Sequence, residues 1–556
     1  MKYASKPVVE LIVGRLLASN ILDIVISPGS RNAPFIQSFT SKPQFNCYSI
    51  VDERAAGFFA LGMALKTKKP TVLLCTSGSA LLNYYPAVAE AFYQKVPLIV
   101  LSADRPEYCV DQGQGQTIRQ NGVLDLHIQS AMKIIGDQDD QAYLNQIEQQ
   151  LLKNIVTQKY TDQRPFHINV HLEEPLYDLV DRFDFEFSKE PISAEKTNLD
   201  VTAELNVWEK STKKLIVLGQ NNVDSELEQM LQAFEKRSDV MILSETTSNI
   251  TLNESVQSID VFLESIKGIE SEFKPDVLIQ FGGAIISKKI KTALKSFQIA
   301  NVWSIQPDGV HPDIYFSITK RFNIEPKIFL KAFLQTSIVR SDYAPFLMQK
   351  YNLALAKRNE FLKIPEYADI HIYKNILNKL PKETIIHSAN SSVIRYLQLY
   401  KHEHNTFYCN RGTSGIDGSS STAIGFASQT ENPVCLFTGD ISFFYDSNAF
   451  WNNYIPQKFK AILMNNGGGD IFRIIPGAKD SFARENYFST AHQLNAKGIA
   501  STFGLDYYSC QNLTELNKEI DAVLANDNPL ILEIQIPEKV GPESLKSFFE
   551  TVRNKE

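Results

Sequence analysis

The sequence predicts an α/β protein of three doubly wound domains, each organised around a parallel sheet. Short apolar runs that end in Gly or polar residues recur along the chain, which is typical of strands buried in parallel sheets. Segments with helical spacing separate these runs, as they do in βαβ units. The length allows about three or four domains, and we place three of them at residues 1–180, 198–340 and 355–556.

Composition argues against several function classes. The chain is 44% hydrophobic with a net charge of −7, so a nucleic-acid partner is not expected. No apolar run reaches the ~18 residues that a membrane span needs, and Glu10 and Arg15 interrupt the apolar N-terminal residues that a signal peptide would require. The six cysteines form no C-x-x-C pair and mostly lie in or beside apolar runs. We therefore expect a cytoplasmic protein.

The first domain is predicted to have a six-stranded sheet. The apolar runs that indicate five of its strands lie at residues 23–27, 46–51, 71–76, 98–102 and 166–172. Small residues at 55–62 predict a helix that packs tightly against a neighbour. A charged segment without clear periodicity, at 178–198, is interpreted as a linker.

Several polar side chains follow the strands of this domain. Ser30 and Arg31 come after the first strand; an Arg there can bind a carboxylate with two parallel hydrogen bonds, although the pattern also suits an exposed turn. Glu53 stands where the next helix begins, a position that the helix dipole alone would favour for an acid. The polar, Gly-rich loop at 111–120 is either flexible surface or a binding loop.

The other two domains follow the same plan. The middle domain has apolar runs at 213–219, 240–243, 276–281 and 300–305, and Lys288 and Lys289 after the third run suit either solvated surface or a substrate carboxylate. A helical connection at 342–361 leads to the third domain. Its predicted strands lie at 384–387, 406–409, 434–437, 461–464 and 530–535, and helical spacing at 447–454 predicts a βαβ unit.

Two oxygen-bearing side chains follow neighbouring strands of the third domain. Asp440 ends one apolar run, and Asn466 ends the next, 26 residues later. Open α/β sheets bind ligands at the carboxyl ends of their strands, and Mg²⁺ favours a few hard protein oxygens together with phosphate. Glycines 467–469 allow a ligand to approach the backbone. The pattern indicates a metal-bridged diphosphate site, although a simple turn would also fit it.

These residues resemble the diphosphate and metal motif of thiamin diphosphate enzymes, with Ile441 where that motif usually has Gly. The resemblance implies Asp440, Asn466 and a backbone carbonyl near Gly468 as ligands of Mg²⁺ or Mn²⁺. Further motifs make the chain similar to the 2-succinyl-5-enolpyruvyl-6-hydroxy-3-cyclohexene-1-carboxylate synthase family of menaquinone biosynthesis. They are SPGSR at 27–31, DER at 52–54, TSGS at 76–79, ADRP at 103–106 and NRGTSGIDG at 410–418.

The resemblance implies a pyruvate-decarboxylase-like fold and a transferase that decarboxylates 2-oxoglutarate and adds the resulting carbanion to isochorismate. Glu53 would be the catalytic acid beside the aminopyrimidine. The substrate-binding residues implied are Ser30, Arg31, Arg105, Gln116, Lys288, Ser391, Arg395 and Arg411. The cofactor-binding residues implied are Glu53, Ser391, Ile416, Gly439, Asn466, Ile471, Phe472 and Ile475. Two departures concern substrate affinity: Gly115 replaces the usual Asn before Gln116, and Lys289 replaces an Arg.

The family also implies that residues 1–180 bind the pyrimidine of one cofactor while residues 355–556 of another subunit bind its diphosphate and metal. We therefore expect a homo-oligomer, either a dimer or a tetramer. The alternatives are another thiamin diphosphate 2-oxoacid decarboxylase or carboligase, or a non-catalytic cofactor-binding paralogue. A pyruvate site needs little positive charge, so the Arg residues that follow the strands argue against the first alternative, and the presence of Glu53, Asp440 and Asn466 argues against the second.

Overall fold

The structure, a computed structural model, describes residues 3–181, 185–190, 199–401, 404–475 and 480–553. Within these ranges the strands form three parallel sheets and one short antiparallel pair. The three sheets follow one another along the chain, so each belongs to a separate α/β domain, as the sequence predicts. The helices of the described ranges include none that is long and apolar enough to span a membrane.

The first domain has the strand order β3-β2-β4-β5-β7-β6. Its strands are β1 (Tyr3–Ala4), β2 (Asp23–Ile26), β3 (Asn46–Ser49), β4 (Thr71–Cys75), β5 (Leu98–Asp104), β6 (Ser130–Ile135), β7 (Phe166–His171) and β8 (Leu179–Val180), of which β1 and β8 form the antiparallel pair. Its helices are α1 (Pro7–Ala18), α2 (Ala33–Thr40), α3 (Glu53–Thr67), α4 (Ser79–Asn83), α5 (Tyr85–Gln94) and α6 (Gln141–Tyr160).

The middle domain has the strand order β10-β9-β11-β12-β13. Its strands are β9 (Lys214–Leu218), β10 (Val240–Ser244), β11 (Val277–Phe281), β12 (Asn301–Ile305) and β13 (Lys320–Phe322). Its helices are α7 (Thr202–Lys210), α8 (Ser225–Glu235), α9 (Ile259–Ser265), α10 (Glu270–Phe273), α11 (Lys288–Ser296) and α12 (Pro326–Phe333), and α13 (Tyr343–Phe361) connects it to the third domain.

The third domain has the strand order β15-β14-β16-β17-β19-β18. Its strands are β14 (Ile385–Ser388), β15 (Thr406–Cys409), β16 (Val434–Gly439), β17 (Lys460–Asn465), β18 (Asp506–Cys510) and β19 (Leu530–Gln535). Its helices are α14 (Asp369–Lys379), α15 (Ser392–Leu397), α16 (Ser419–Ala427), α17 (Asp440–Tyr445), α18 (Ile471–Ile474), α19 (Lys497–Phe503), α20 (Leu513–Ala525) and α21 (Val540–Val552).

The first and third sheets share one topology, and its switch point fixes where a ligand can bind. In both sheets the first and third strands in chain order lie side by side, and the second strand lies on the other side of the first, at the edge of the sheet. These pairs are β2 with β4 and β14 with β16. A crevice opens beyond the carboxyl ends of such a pair, so the loops after these four strands are the expected ligand-binding loops.

Each sheet is covered by helices on both faces, which is why its central strands are largely buried. In β2, Val25 packs into a cluster with α3 and α5, whereas its neighbours Ile24 and Ile26 pack with α1, α2 and α6. The hydrophobic clusters also continue between domains. One joins the first and third domains, and another joins the middle and third domains. The three domains therefore share buried apolar surface.

The tightest contact between domains is that of α3 with α16. A Cβ atom on Gly62 of α3 would lie 2.0 Å from the carbonyl oxygen of Thr422, and one on Gly425 of α16 would lie 2.0 Å from the carbonyl oxygen of Phe59. The two backbones therefore meet directly. The small residues of 55–62 predicted a closely packed helix, and this contact confirms it.

The strands that the sequence did not reveal are edge strands. β6, β13 and β18 each lie at the edge of a sheet, where a strand has a single neighbour. β6 alternates exposed with more buried residues, and β13 is largely exposed. An edge strand does not need apolar residues on both faces, so none of the three forms a continuous apolar run.

Two segments differ in detail from the prediction. Instead of one helix over 447–454, α17 begins directly at Asp440, and a 3₁₀ helix follows at Ser447–Phe450. The break lies at Asp446, whose carboxylate turns away to accept hydrogen bonds from Ser421. In the predicted linker, the described part packs onto the first domain, where Phe187 covers Gly14. Residues 182–184 and 191–198 lie outside the described residues.

Candidate functional site

The carboxylate of Asp440 is held between the ends of β16 and β17. Its Oδ1 accepts the backbone N–H of Ile441 at 2.7 Å, and its Oδ2 accepts the backbone N–H of Gly468 at 2.9 Å. The side chain is buried, and Nε2 of His492 lies 3.4 Å from Oδ2. Because the two strands are adjacent and parallel, residues 28 positions apart meet at one edge of the sheet.

Asn466, directly after β17, presents a carbonyl oxygen that is suited to a cation. Its Nδ2 donates to Oδ2 of Asp470 at 2.8 Å, which fixes the orientation of the amide. Its Oδ1 is buried and accepts no hydrogen bond from any described residue. A buried oxygen without a donor is costly to leave unpaired, and a metal ion would satisfy it.

The glycine turn after Asn466 has a backbone that only glycine adopts readily. Gly467 has φ +72° and Gly468 has φ +150°, and a Cβ on Gly468 would lie 2.7 Å from the carbonyl oxygen of Ser489. The N–H of Gly469 donates to the same carbonyl at 2.7 Å. The segment around Ser489 therefore packs directly on the turn. Asp440, Asn466 and the Gly468 backbone together fit a divalent ion that bridges to a diphosphate.

Further acids that sequence reasoning missed stand behind this turn. Burial raises the pKa of Asp470 to about 6, although Arg473 donates to it at 2.6 Å. Burial, with the negative charge of Asp470 nearby, raises the pKa of Asp369 to about 7. The spacing of Asp470, four residues after Asn466, was a usable signal. Asp369 lies 97 residues before Asn466 in the sequence, and only the fold brings it behind the turn.

Asn390, which the sequence did not single out, organises the loops after β14 and β15. Its Nδ2 donates to the carbonyl oxygens of Asn410 at 2.7 Å and Gly415 at 2.8 Å, and its Oδ1 accepts Nη1 of Arg411 at 2.8 Å. Nη1 of Arg395 donates to the carbonyl oxygen of Ser391, a residue with φ +69°. The structure therefore brings Ser391, Arg395 and Arg411 to one loop cluster.

The apolar residues expected to line the cofactor site flank this turn and these loops. Ile416 is 40% exposed, and its carbonyl oxygen accepts Oγ of Ser442 at 2.6 Å, which ties it to α17. Gly439 directly precedes Asp440 and is partly exposed. Ile471, Phe472 and Ile475 are partly exposed after the glycine turn, and the rings of Phe472 and Phe488 lie 5.7 Å apart. An exposed apolar surface of this kind suits an organic ligand.

In the first domain, Glu53 begins α3 and is partly exposed. Asp52 caps the helix by accepting the N–H groups of Arg54 and Ala55. Oε2 of Glu53 accepts a long hydrogen bond of 3.4 Å from Nδ2 of Asn83. Among the described residues, no hydrogen bond or ion pair joins Glu53 to the third domain, so this carboxylate is available to a ligand or to a second chain.

The remaining sequence-predicted residues of the first domain differ in how they are held. Arg31 is buried, donates to the carbonyl oxygen of Leu172 at 2.9 Å and pairs with Glu174 at 3.0 Å. Arg105 is partly buried, and its Nε has no hydrogen-bond partner in the described part of the chain. Ser30 and Gln116 are exposed, and Gln116 has φ +55°.

Gln120 is a buried residue that sequence reasoning passed over. Its Oε1 accepts the N–H of Gly78 at 2.8 Å, and its Nε2 donates to Oδ1 of Asn169 at 2.8 Å. The backbone of Gln116 lies against Gly78, since a Cβ there would be 3.2 Å from the Cα of Gln116. Gln120 therefore fastens the polar loop at 111–120 to the turn before α4.

The two lysines of the middle-domain pair, Lys288 and Lys289, have different surroundings. Lys288 is exposed. Lys289 instead donates to Oε1 of Glu264 at 2.9 Å, and its Nζ lies 4.0 Å from the ring centre of Phe549.

Comparison with known proteins gives the family of the chain. Residues 6–123 match the family described as thiamine pyrophosphate enzyme, N-terminal TPP binding domain; residues 187–387 match middle domain of thiamine pyrophosphate; and residues 389–534 match thiamine pyrophosphate enzyme, C-terminal TPP binding domain. Over 562 residues the chain is 40% identical to the 2-succinyl-5-enolpyruvyl-6-hydroxy-3-cyclohexene-1-carboxylate synthase of Flavobacterium psychrophilum, with 99% of this chain and 100% of the relative aligned. The chain belongs to this synthase family.

Other members of the synthase family also align over nearly their whole length. The protein of Christiangramia forsetii is 39% identical, with 100% of both chains covered, and that of Porphyromonas gingivalis is 34% identical, with 98% of this chain and 97% of the relative covered. Membership makes the chain a thiamin diphosphate-dependent enzyme of the synthase type. It also confirms the family and the fold class that the motifs predicted.

Proposed function

We propose that the protein is a cytoplasmic enzyme of menaquinone biosynthesis that decarboxylates 2-oxoglutarate and joins the resulting four-carbon unit to isochorismate, with release of CO₂. The names of its relatives support this product. The observation that carries the proposal is the buried Oδ1 of Asn466, which has no hydrogen-bond donor among the described residues. Asn466 follows β17, the neighbour of the strand that ends at Asp440, so both side chains lie at the edge of the sheet where a metal-bridged diphosphate would bind.

In this proposal Asp440, Asn466 and the backbone carbonyl of Gly468 hold Mg²⁺ or Mn²⁺, and residues 355–556 bind the cofactor diphosphate. Residues 1–180 bind the aminopyrimidine, and residues 198–340 form the central domain. Ser391, Ile416, Gly439, Ile471, Phe472 and Ile475 contact the cofactor. Thiamin diphosphate, when bound, supplies an electron sink for the loss of CO₂.

Glu53 is the proposed catalytic acid. Its carboxyl would hydrogen-bond a ring nitrogen of the aminopyrimidine and hold or release a proton at that atom. A dry environment would favour this role, because burial strengthens the hydrogen bond. The partial exposure of Glu53 within one chain is consistent with a site that a second chain completes.

The proposed substrates carry two carboxylates each, so their site needs several cations. The residues that we propose for this role are Ser30, Arg31, Arg105, Gln116, Lys288, Ser391, Arg395 and Arg411. Arg395 and Arg411 support the assignment most directly, because their guanidinium groups donate hydrogen bonds to neutral oxygens of Ser391 and Asn390. Their positive charge is therefore available to a substrate.

The proposed enzyme works as a dimer or a tetramer, with each site shared between two chains. Within the described residues of one chain, Glu53 makes no hydrogen bond to the third domain. The proposed pyrimidine-binding residues of 1–180 and the diphosphate-binding residues of 355–556 would nevertheless contact the same cofactor, which supports a site built from two chains. Sizing with light scattering tests this directly. A chain that is fully active as a monomer would contradict it.

The activity is tested by CO₂ release from 2-oxoglutarate with thiamin diphosphate and Mg²⁺, in the presence and absence of isochorismate. Release that depends on isochorismate, with loss of its ultraviolet absorbance, is the expected result. Release from pyruvate instead would assign the enzyme to a different 2-oxoacid, and cofactor binding without release from either acid would contradict the proposal.

A further inference from the structure

Arg411, proposed above to bind substrate, lies in the loop that follows β15. Its Nη1 donates to Oδ1 of Asn390 at 2.8 Å. Nδ2 of the same Asn390 donates to the carbonyl oxygen of Asn410 at 2.7 Å, so the peptide unit that precedes the Cα atom of Arg411 is held within the third domain. Two backbone dihedrals set the direction in which a side chain leaves the chain. The peptide unit that follows this Cα atom therefore matters equally.

The carboxylate of Glu90, on α5 of the first domain, holds that following peptide unit. Its Oε1 accepts the backbone N–H of Gly412 at 2.7 Å, and its Oε2 accepts the backbone N–H of Thr413 at 2.6 Å. Oε2 also accepts the hydroxyl of Thr413 at 2.6 Å. The two peptide units that flank the Cα atom of Arg411 are thus each tied by a side chain, one from the third domain and one from the first.

Glu90 is buried, with only 1% of its surface exposed, and the mechanism does not use it. A buried carboxylate is costly unless hydrogen bonds satisfy it. Four donors do so here: the two backbone N–H groups, the Thr413 hydroxyl, and Nε2 of Gln94, which donates to Oε1. A carboxylate offers acceptors on both oxygens and no N–H group. It therefore matches a set of donors that an amide side chain would match only in part.

The loop and α5 meet closely at this point. A Cβ atom on Gly412 would lie 2.6 Å from the carbonyl oxygen of Glu90 and 3.1 Å from the Cβ atom of Tyr93. The lack of a side chain at Gly412 allows the two backbones to approach. The carboxylate of Glu90 reaches both N–H groups because of this approach.

Gln94 extends the connection to the middle domain. Its Oε1 accepts Nε2 of Gln220 at 3.2 Å, and the same Nε2 donates to the carbonyl oxygen of Cys409 at 3.1 Å. Gln220 lies two residues after the end of β9, and Cys409 is the last residue of β15. One hydrogen-bond network therefore joins all three domains at the start of the Arg411 loop.

We infer that Glu90 is a positioning residue of the proposed substrate site, and that it sets the direction of the Arg411 side chain through the backbone of residues 412 and 413. The inference rests on the proposed function and deepens it, because Arg411 is the residue that would contact a substrate carboxylate. Glu90 acts only through Arg411 and does not itself touch a substrate. An acid of the first domain thereby controls how a cation of the third domain meets the substrate.

The test compares Glu90→Gln with Glu235→Gln in the full-length enzyme with thiamin diphosphate and Mg²⁺. The two are matched, because Glu235 is also buried and accepts two successive backbone N–H groups, those of Asn253 at 2.9 Å and Glu254 at 3.0 Å. In Glu90→Gln an amide nitrogen faces an N–H group. We expect KM for the substrate that Arg411 binds to rise by about tenfold, while kcat changes by less than about threefold. Glu235→Gln should lower Tm and leave both KM values unchanged.

A double-mutant cycle with Arg411→Gln separates positioning from a general loss of stability. Arg411→Gln alone should raise the KM of the same substrate. In that background Glu90→Gln should raise KM by less than about twofold more, because the residue through which it acts is gone. Thr413→Val removes only the hydroxyl donor and leaves α5 intact; it is a milder variant that should raise the same KM by about threefold.

A further readout needs no turnover. Hydrogen exchange of the backbone N–H groups of residues 412 and 413 should be faster in Glu90→Gln than in the wild type and unchanged in Glu235→Gln. Unchanged KM values in Glu90→Gln and Thr413→Val, or a full tenfold rise from Glu90→Gln in the Arg411→Gln background, would overturn the inference. Unchanged KM values in Arg411→Gln, or no isochorismate-dependent CO₂ release by the wild type, would instead overturn the proposed function, so the two failures are distinguishable.

Discussion

The backbone N–H of Gly468 donates a 2.9 Å hydrogen bond to Oδ2 of Asp440 and so joins the ends of two neighbouring parallel strands. Both residues are proposed metal ligands, one through its carboxylate and the other through its carbonyl. The hydrogen bond fixes their separation before any ion binds. The geometry of the proposed metal site is therefore built by the sheet rather than by a flexible loop.

Gly468→Ala should abolish metal-dependent cofactor binding and lower stability. The residue has φ +150°, and the new Cβ would lie 2.7 Å from the Ser489 carbonyl oxygen, so strain of about 1–3 kcal/mol is expected. Thiamin diphosphate affinity and Tm are the measurements. The control is Gly498→Ala in α19, where a Cβ meets nothing within 4 Å; that variant should be neutral or slightly more stable. Equal behaviour of the two variants would contradict the prediction.

Asp440→Asn should weaken cofactor binding without unfolding the domain. An amide keeps one acceptor oxygen but loses the charge that attracts the cation, so thiamin diphosphate affinity in the presence of Mg²⁺ should fall by about two orders of magnitude. Calorimetric titration measures this, and EDTA should lower the affinity of the wild type but not of the variant. Asp527→Asn, at an exposed acid of the same domain, should bind normally. Wild-type affinity in Asp440→Asn would argue against the metal site.

Glu53→Gln should bind thiamin diphosphate nearly as well as the wild type yet lose turnover. The amide keeps the size of the side chain but cannot hold or release the proton, and such losses reduce kcat by about 10²–10⁴-fold. Binding and CO₂ release are measured on the same preparation, with Glu209→Gln at an exposed acid as the control. Full activity in Glu53→Gln would refute the role of this residue.

Asp446→Asn should change how stability depends on pH. Asp446 is fully buried and accepts the N–H and Oγ of Ser421, and burial raises its pKa from 3.8 to about 6. Folding therefore favours the protonated acid, so its contribution is present below pH 3.8 and is lost as pH rises through about 6. The loss is on the order of 3 kcal/mol.

Asparagine matches the shape of aspartic acid and does not titrate, so the Tm of Asp446→Asn relative to wild type should rise between pH 4 and 7 by about the amount that this loss implies. Scans at several pH values without cofactor measure it. Asp527→Asn should show a constant difference across the same range, because its carboxylate is exposed. A constant difference for Asp446→Asn would refute the prediction.

Gln120→Met should lower both stability and substrate affinity. It removes the acceptor of the Gly78 N–H and a donor to Asn169, and each buried group left unpaired costs about 1–3 kcal/mol. Because Gln116 packs on Gly78, we expect KM to rise along with the fall in Tm. Gln112→Met, in the exposed part of the same loop, should change neither. A loss of stability without any change in KM would limit Gln120 to a structural role.

The sequence was sufficient for the parts of the molecule that local patterns determine. Buried central strands such as β16 and β17 are continuous apolar runs, and the residues that follow them, Asp440 and Asn466, were found for that reason. The edge strands β6, β13 and β18 carry no such run, because they are less completely covered than the central strands. Those strands could not be located from apolar patterns.

The sequence did not identify residues whose role depends on partners that only the fold brings close. Asn390 and Gln120 are ordinary amides until the sheet brings their partners within reach. The same holds for Lys289 of α11. It was a candidate by resemblance, and only the position of Glu264 shows that its charge is already neutralised.

The contact of Gly62 with Thr422 and of Gly425 with Phe59 has a consequence for substrate entry. Two helices that touch backbone to backbone resist sliding past one another, because a shift brings backbone atoms into collision. Hinge closure between the first and third domains of a chain would have to break this contact, so we expect substrate entry not to depend on it. We expect access to be controlled by shorter segments, such as the largely exposed loop at 111–120 and the segment that packs on the glycine turn.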